Sequence, residues 1–296
     1  MRVDVIDAFM RCIAMPPTGH LFVVFEKTKN FITENEKSSI KNMAHHSRTG
    51  KSKHTGTEHA AFHPICAISD EQIRNGSKRP LAYATASMDD GHKIIHIRLR
   101  MNYGKPSLVT CLAGLAKKPG DAQFEYYARL ADEGIAKYWS RTITLNGEEW
   151  HVRVEPERSA QGMPLTLANP GKPLLGNLSK RSRNPHPFFT GTLYYDENEG
   201  PDPDRSYAMT AAHEVGHPLL THAFGAIWSW GHAGTSSILG KRYDSAPECP
   251  AQGEISLMLY YNSNTSCIID GDSVFKRCIA SENDVKTLIH ISGRCK

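Results

Sequence analysis

The chain has no long hydrophobic run: its longest apolar stretches, such as Leu21-Phe22-Val23-Val24-Phe25, fall far short of the roughly 20 residues that a spanning helix needs. No membrane span is expected. Charge of one sign is also scarce. A net charge of +4 over 296 residues gives no electrostatic case for nucleic acid or an anionic membrane as the main partner, so no nucleic-acid partner is expected. Residues 1–15 lack a basic start followed by a clean apolar stretch, because Asp4 and Asp7 interrupt them, and no secretory signal peptide is read there. Among the seven cysteines (Cys12, Cys66, Cys111, Cys249, Cys267, Cys278 and Cys295) no Cys-x-x-Cys pair occurs, which argues against a second, structural zinc site. Their odd number leaves at least one unpaired within a single chain. Cys267 and Cys278 are placed to close a hairpin around Asp270-Gly271, with buried thiols as the alternative.

What is present suits a globular protein, with 40% hydrophobic and 22% charged residues. Residues 1–63 read as an N-terminal extension: a helix around Val5 to Ile13, a strand-like run over 21–25, then a flexible linker from Lys37 to His63 rich in His, Lys, Ser and Gly. The main domain is expected over 64–296. Within it, alternation over Lys93 to Arg100 predicts a strand and apolar spacing over Ala122 to Trp139 predicts a helix. Asn146-Gly147 between two β-rich runs predicts a hairpin. Pro- and Gly-rich sequence over 163–187 reads as loop, and 191–195 as a strand. The expected class is α+β, with a mixed or antiparallel sheet, a motif helix and a downstream ligand helix.

The motif is His213-Glu214-Val215-Gly216-His217. Asp202-Pro203-Asp204 is a good helix start, so the two histidines stand one turn apart on one helical face, where both can ligate a single ion. Glu214 beside them suits a general base acting on a metal-activated water, so Glu214 is expected to be catalytic and His213 and His217 to bind one catalytic Zn2+. Pro218 predicts that the helix kinks or ends after the second ligand. Gly216 should loosen it.

A catalytic zinc takes a third protein ligand. With Leu220 and Ala223 where the metzincin pattern needs Gly and His, that pattern fails. His222, His232, Glu248 and Glu254 are the candidates. His232, in the glycine-flanked Trp230-Gly231-His232-Ala233-Gly234, suits a ligand or a catalytic contact to the transition state. Glu254 opens a helix-like segment, 253–261, that also carries Tyr261, a candidate donor to the oxyanion.

The motif, together with Ser229-Trp230-Gly231-His232-Ala233-Gly234-Thr235-Ser236 and Gly253-Glu254-Ile255-Ser256-Leu257-Met258-Leu259-Tyr260-Tyr261, resembles the metallopeptidase toxin domains of bacterial polymorphic and type VI secretion effectors, including those carried on spike proteins. That resemblance implies a zincin-like fold of gluzincin type and a zinc held by His213, His217 and Glu254. It also implies a metalloendopeptidase acting on a protein or peptide substrate in a target cell. Delivery would run through a specialised secretion system into the periplasm or a host cell, with a cognate immunity protein or secretion-machine carrier as partner. Pro218 and the loop around Cys249 depart from the family pattern. Two other readings use the same residues: hydrolysis of a non-peptide amide, and a non-enzymatic binding module stabilised by zinc.

Overall fold

The computed structural model describes residues 67–172, 182–185, 190–237, 241–262 and 271–294. The N-terminal extension expected at 1–63 lies outside them, with its predicted helix, strand and linker. In chain order the elements begin with α1 (Asp70–Asn75), β1 (Leu81–Asp89), β2 (Ile94–Gly104), α2 (Leu108–Leu112), β3 (Ala116–Lys117), α3 (Asp121–Trp139), β4 (Arg141–Leu145), β5 (Glu148–Arg158), β6 (Met163–Pro170) and β7 (Gly191–Tyr194). They continue with α4 (Pro203–Phe224), α5 (Ala226–Trp230), β8 (Ile255–Ser256), α6 (Gly271–Arg277), β9 (Cys278–Ile279), α7 (Glu282–Ile291) and β10 (Ser292–Arg294).

The class is α+β with a mixed sheet, ordered β10-β1-β2-β5-β4. Strand β2 shows why it forms: Ile95, Ile97, Leu99 and Met101 are fully buried on one face while His96, Arg98 and Arg100 point the other way. It runs antiparallel to β1 and parallel to β5. The hairpin β4–β5 turns at Asn146 and Gly147 with φ of 51° and 77°, the left-handed pair that a two-residue hairpin turn uses.

Residues 163–170, read as loop from their prolines, are instead strand β6, paired in parallel with the end of β2 and with β7. Met163, Leu165 and Leu167 alternate inward and are fully buried, and that burial outweighs the proline signal.

Helices cover one face of the sheet. Helix α3 lies against β5 and β6, α7 against β1 and β4, and α4 packs on both helices. The crossing of α3 and α4 is backbone to backbone, since a Cβ on Gly134 would stand 2.1 Å from the Ala208 carbonyl oxygen. Trp139 at the end of α3 donates its Nε1–H to the Ala212 carbonyl at 3.0 Å, one residue before the motif.

Asp202 caps α4, its side chain accepting from the Arg205 amide at 3.1 Å. Within the first turn, Asp204 accepts from the hydroxyls of Tyr195, at 2.7 Å, and Tyr126. Of the two expected outcomes, a kink or an end at Pro218, the end does not occur: α4 runs through Pro218 to Phe224. The proline removes one donor, that to the Glu214 carbonyl, while Val215, Gly216, His217, Leu219 and Leu220 are all buried around it, and this packing carries the helix onward. Gly216 is not a loosening element either. A Cβ there would come within 2.4 Å of Met258 Sδ and 2.8 Å of Trp139 Cζ2, so the glycine lets the downstream segment pack onto the motif.

The segment 253–261 is not a helix. Ile255–Ser256 pair in parallel with β9, and the Leu257 amide donates to the Ile279 carbonyl at 2.9 Å. Because Cys278 on β9 is a free buried thiol, no Cys267–Cys278 bridge closes a hairpin there. Cys249 is disulfide-bonded, to a partner outside the described residues. Among the described residues no helix is long and apolar enough to cross a membrane.

Candidate metal centre

His213 and His217 lie one turn apart on α4, and His232 reaches them from the turn after α5. One ring nitrogen from each meets the other two within 4.8 Å. Their hydrogen bonds decide which nitrogens those are. The Leu257 carbonyl can only accept, so His213 Nδ1 carries the proton and donates to it across 2.8 Å, leaving Nε2 a bare lone pair. Ser229 Oγ donates to the His217 carbonyl at 2.8 Å and therefore accepts from His217 Nδ1–H at 3.1 Å. Ser236 Oγ donates to the Ser237 carbonyl and in the same way accepts from His232 Nδ1–H at 2.8 Å.

All three imidazoles are thus held as Nδ1–H tautomers with their Nε2 lone pairs converging. Burial lowers the basicity of each. It is lowered for His213, lowered further for His217 by the neighbouring His213 and His232, and brought down to about 3 for His232. They are neutral at neutral pH, the form that ligates metal.

The donor set fits a divalent transition metal. His213 Nε2 and His217 Nε2 stand 3.2 Å apart with no proton available to join them. Adjacent nitrogens on a tetrahedral zinc, with bonds of about 2.0–2.1 Å, sit about 3.3 Å apart. His232 Nε2 is buried and has no hydrogen-bond partner. Three lone pairs facing one another are repulsive unless a cation lies between them, and the proton on each far nitrogen is anchored as in known metal-binding histidines.

His232 takes the third place that Glu254 was expected to fill. The Glu254 carboxylate instead meets the Arg141 guanidinium at 3.1 and 3.2 Å, with 60% of its side chain exposed. A histidine in this position required a special backbone: His232, Ala233 and Gly234 have φ of 49°, 55° and 86°, a left-handed run that turns the chain back on α5. Gly231 fits beneath it because a Cβ would lie 2.8 Å from the Ile227 carbonyl oxygen. Thr235 Oγ1 ties the turn down, donating to the His232 carbonyl at 2.7 Å and accepting from the Tyr260 amide at 2.9 Å.

Tyr261 was the tyrosine singled out, and its hydroxyl accepts from the Ser256 amide at 2.7 Å. The ring against the histidines is that of Tyr260, stacked on His232 with centroids 3.6 Å apart and planes 18° from parallel. The sequence singles out neither Tyr260 nor Ser229, Ser236 and the Leu257 carbonyl. Twelve residues separate Ser229 from His217 and 44 separate Leu257 from His213, so no local spacing announces these contacts.

Glu214 sits between the two α4 ligands, partly buried. Its carboxylate makes no hydrogen bond or ion pair to another described residue, and burial alone pushes it up to about 7. A carboxylate kept free of structural partners next to two ligands is available to exchange a proton.

The serine relay predicts a measurable cost. Ser229→Ala should weaken zinc affinity about ten- to a hundredfold, because the buried His217 Nδ1–H loses its acceptor. Competition against a chromophoric chelator measures this, and unchanged affinity would remove Ser229 from the ligand-orienting set. No protein-family model matches the chain, and no curated protein matches it.

Proposed function

We propose that the protein is a zinc-dependent metallopeptidase of zincin-like fold, with His213, His217 and His232 as ligands and Glu214 as general base. The observation that carries this reading is the set of three Nε2 lone pairs, each fixed by its own Nδ1–H bond, on a helix whose Glu214 carboxylate has no partner among the described residues. A zinc ion bound there supplies Lewis-acid chemistry, polarising a carbonyl and acidifying water. Glu214 accepts the proton released as water adds to the peptide carbonyl and delivers it to the departing amine. Helix α4, braced by Trp139 and by Met258 against Gly216, keeps Glu214 and two ligands in one rigid frame.

A catalytic role is favoured over a purely structural one because among the described residues the cluster holds three ligands, and a structural zinc is closed by four. The resemblance of 213–261 to effector toxin domains supports a protein or peptide substrate in a target cell, reached through a secretion machine and countered by an immunity protein. Its ligand set differs from this one, with a glutamate where His232 stands here.

The test is metal content and cleavage of a proteome-derived peptide mixture. Purified protein should carry about one zinc per chain, lose cleavage on chelation and regain it when zinc is returned. Cleavage that persists after the metal has been stripped would sink the reading.

A further inference from the structure

Beyond His232 the chain carries a cation with no ion pair among the described residues. The backbone of Arg242 bridges to Ser236, the residue that holds His232 Nδ1, and the adjacent Tyr243 amide donates to the Thr235 carbonyl at 3.1 Å. The Arg242 guanidinium lies over the ring of Tyr260, 5.5 Å from its centroid, and Tyr260 in turn stacks on His232. Other described arginines, Arg98 and Arg153 among them, also lack an ion pair among the described residues; what sets Arg242 apart is its place over Tyr260, beside His232. Arg242, exposed to solvent, has no ion pair among the described residues.

We infer that Arg242 is the substrate-reading residue of this site, and that the substrate it selects bears a carboxylate close to the bond that is cut. This rests on the reading of the histidine cluster as a peptidase centre. A guanidinium presents a planar fork that matches a carboxylate in two parallel hydrogen bonds. The cation–π contact with Tyr260 holds the guanidinium next to the histidines, where it can meet a ligand. With the arginine only two stacked rings from His232, an extended peptide lying in the site reaches it within about two or three residues at about 3.3–3.6 Å each. The carboxylate has two sources, an acidic side chain or the free C-terminus of the peptide, and both offer the fork the same two oxygens.

The experiment measures binding to the zinc-loaded Glu214→Gln protein, which holds peptide without turning it over. One fluorescent peptide series is made in four forms: acidic or amide side chains, each with a free or an amidated C-terminus. At least one carboxylate form should bind about tenfold more tightly than its neutral counterpart, and the pair that differs identifies the source. Adding Arg242→Ala should abolish the difference, and Arg242→Lys should restore part of it, with zinc content unchanged in both. Equal affinity for all four forms, no binding of any form, or a preference that survives Arg242→Ala overturns the inference. Failure of the peptidase reading shows separately, as absence of cleavage by the wild-type protein, while this binding difference still reports on Arg242.

Discussion

On the proposed reading, His232→Ala should strip the protein of zinc, whereas Glu254→Ala should leave zinc bound. In the first variant a buried Nε2 with no other partner disappears and two ligands remain, so affinity should fall about a thousandfold or more. In the second, the exposed Glu254 carboxylate leaves the largely buried Arg141 guanidinium, which keeps its bond to the Ala280 carbonyl, a loss of about 1 kcal/mol. Metal analysis after dialysis against a weak chelator separates the two. Zinc lost from Glu254→Ala and kept by His232→Ala would restore the glutamate ligand and dismantle the three-histidine centre.

Glu214→Gln gives the second large effect: kcat should drop by about 100- to 10,000-fold while zinc stays at its wild-type level. The amide keeps the shape of the carboxylate but cannot accept a proton. The wild-type side chain makes no hydrogen bond or ion pair within the described fold, so the exchange breaks no structural contact and stability should change little. Peptide binding should be retained for the same reason, and the loss should fall on kcat and not on KM. Wild-type turnover by the glutamine variant would show that Glu214 is not the base.

The motif helix was legible because its signals are local. Asp202 caps it, Pro203 starts it, and a four-residue spacing sets His213 and His217 on one face. The hairpin at Asn146-Gly147 and the buried alternation of β2 are local in the same sense. The remaining parts of the site were not legible for a common reason: each depends on a partner distant in sequence. Glu254 and Tyr261 looked suitable on a helix, but the segment that carries them pairs with β9, and no periodicity in 253–261 records that strand. Pro218 left open an end to the helix and the Pro- and Gly-rich composition of 163–187 argued for loop, and burial of the neighbouring residues overrode both at α4 and β6. His232 was visible as a histidine among glycines, while its place as third ligand came from a left-handed turn fastened by Thr235, Ser236 and Tyr260.

By itself, then, the sequence placed two histidines and a carboxylate on one helix, because a helix converts their spacing directly into geometry. Only the tertiary structure decided how that centre is completed. Imidazoles ligate through whichever nitrogen is left unprotonated, and the groups that choose it here are the Leu257 carbonyl, Ser229 and Ser236. They reach the histidines because α5, the left-handed turn and the β8 segment fold back over α4, and chain folding of that kind is set by burial across the whole domain, not by neighbours in sequence.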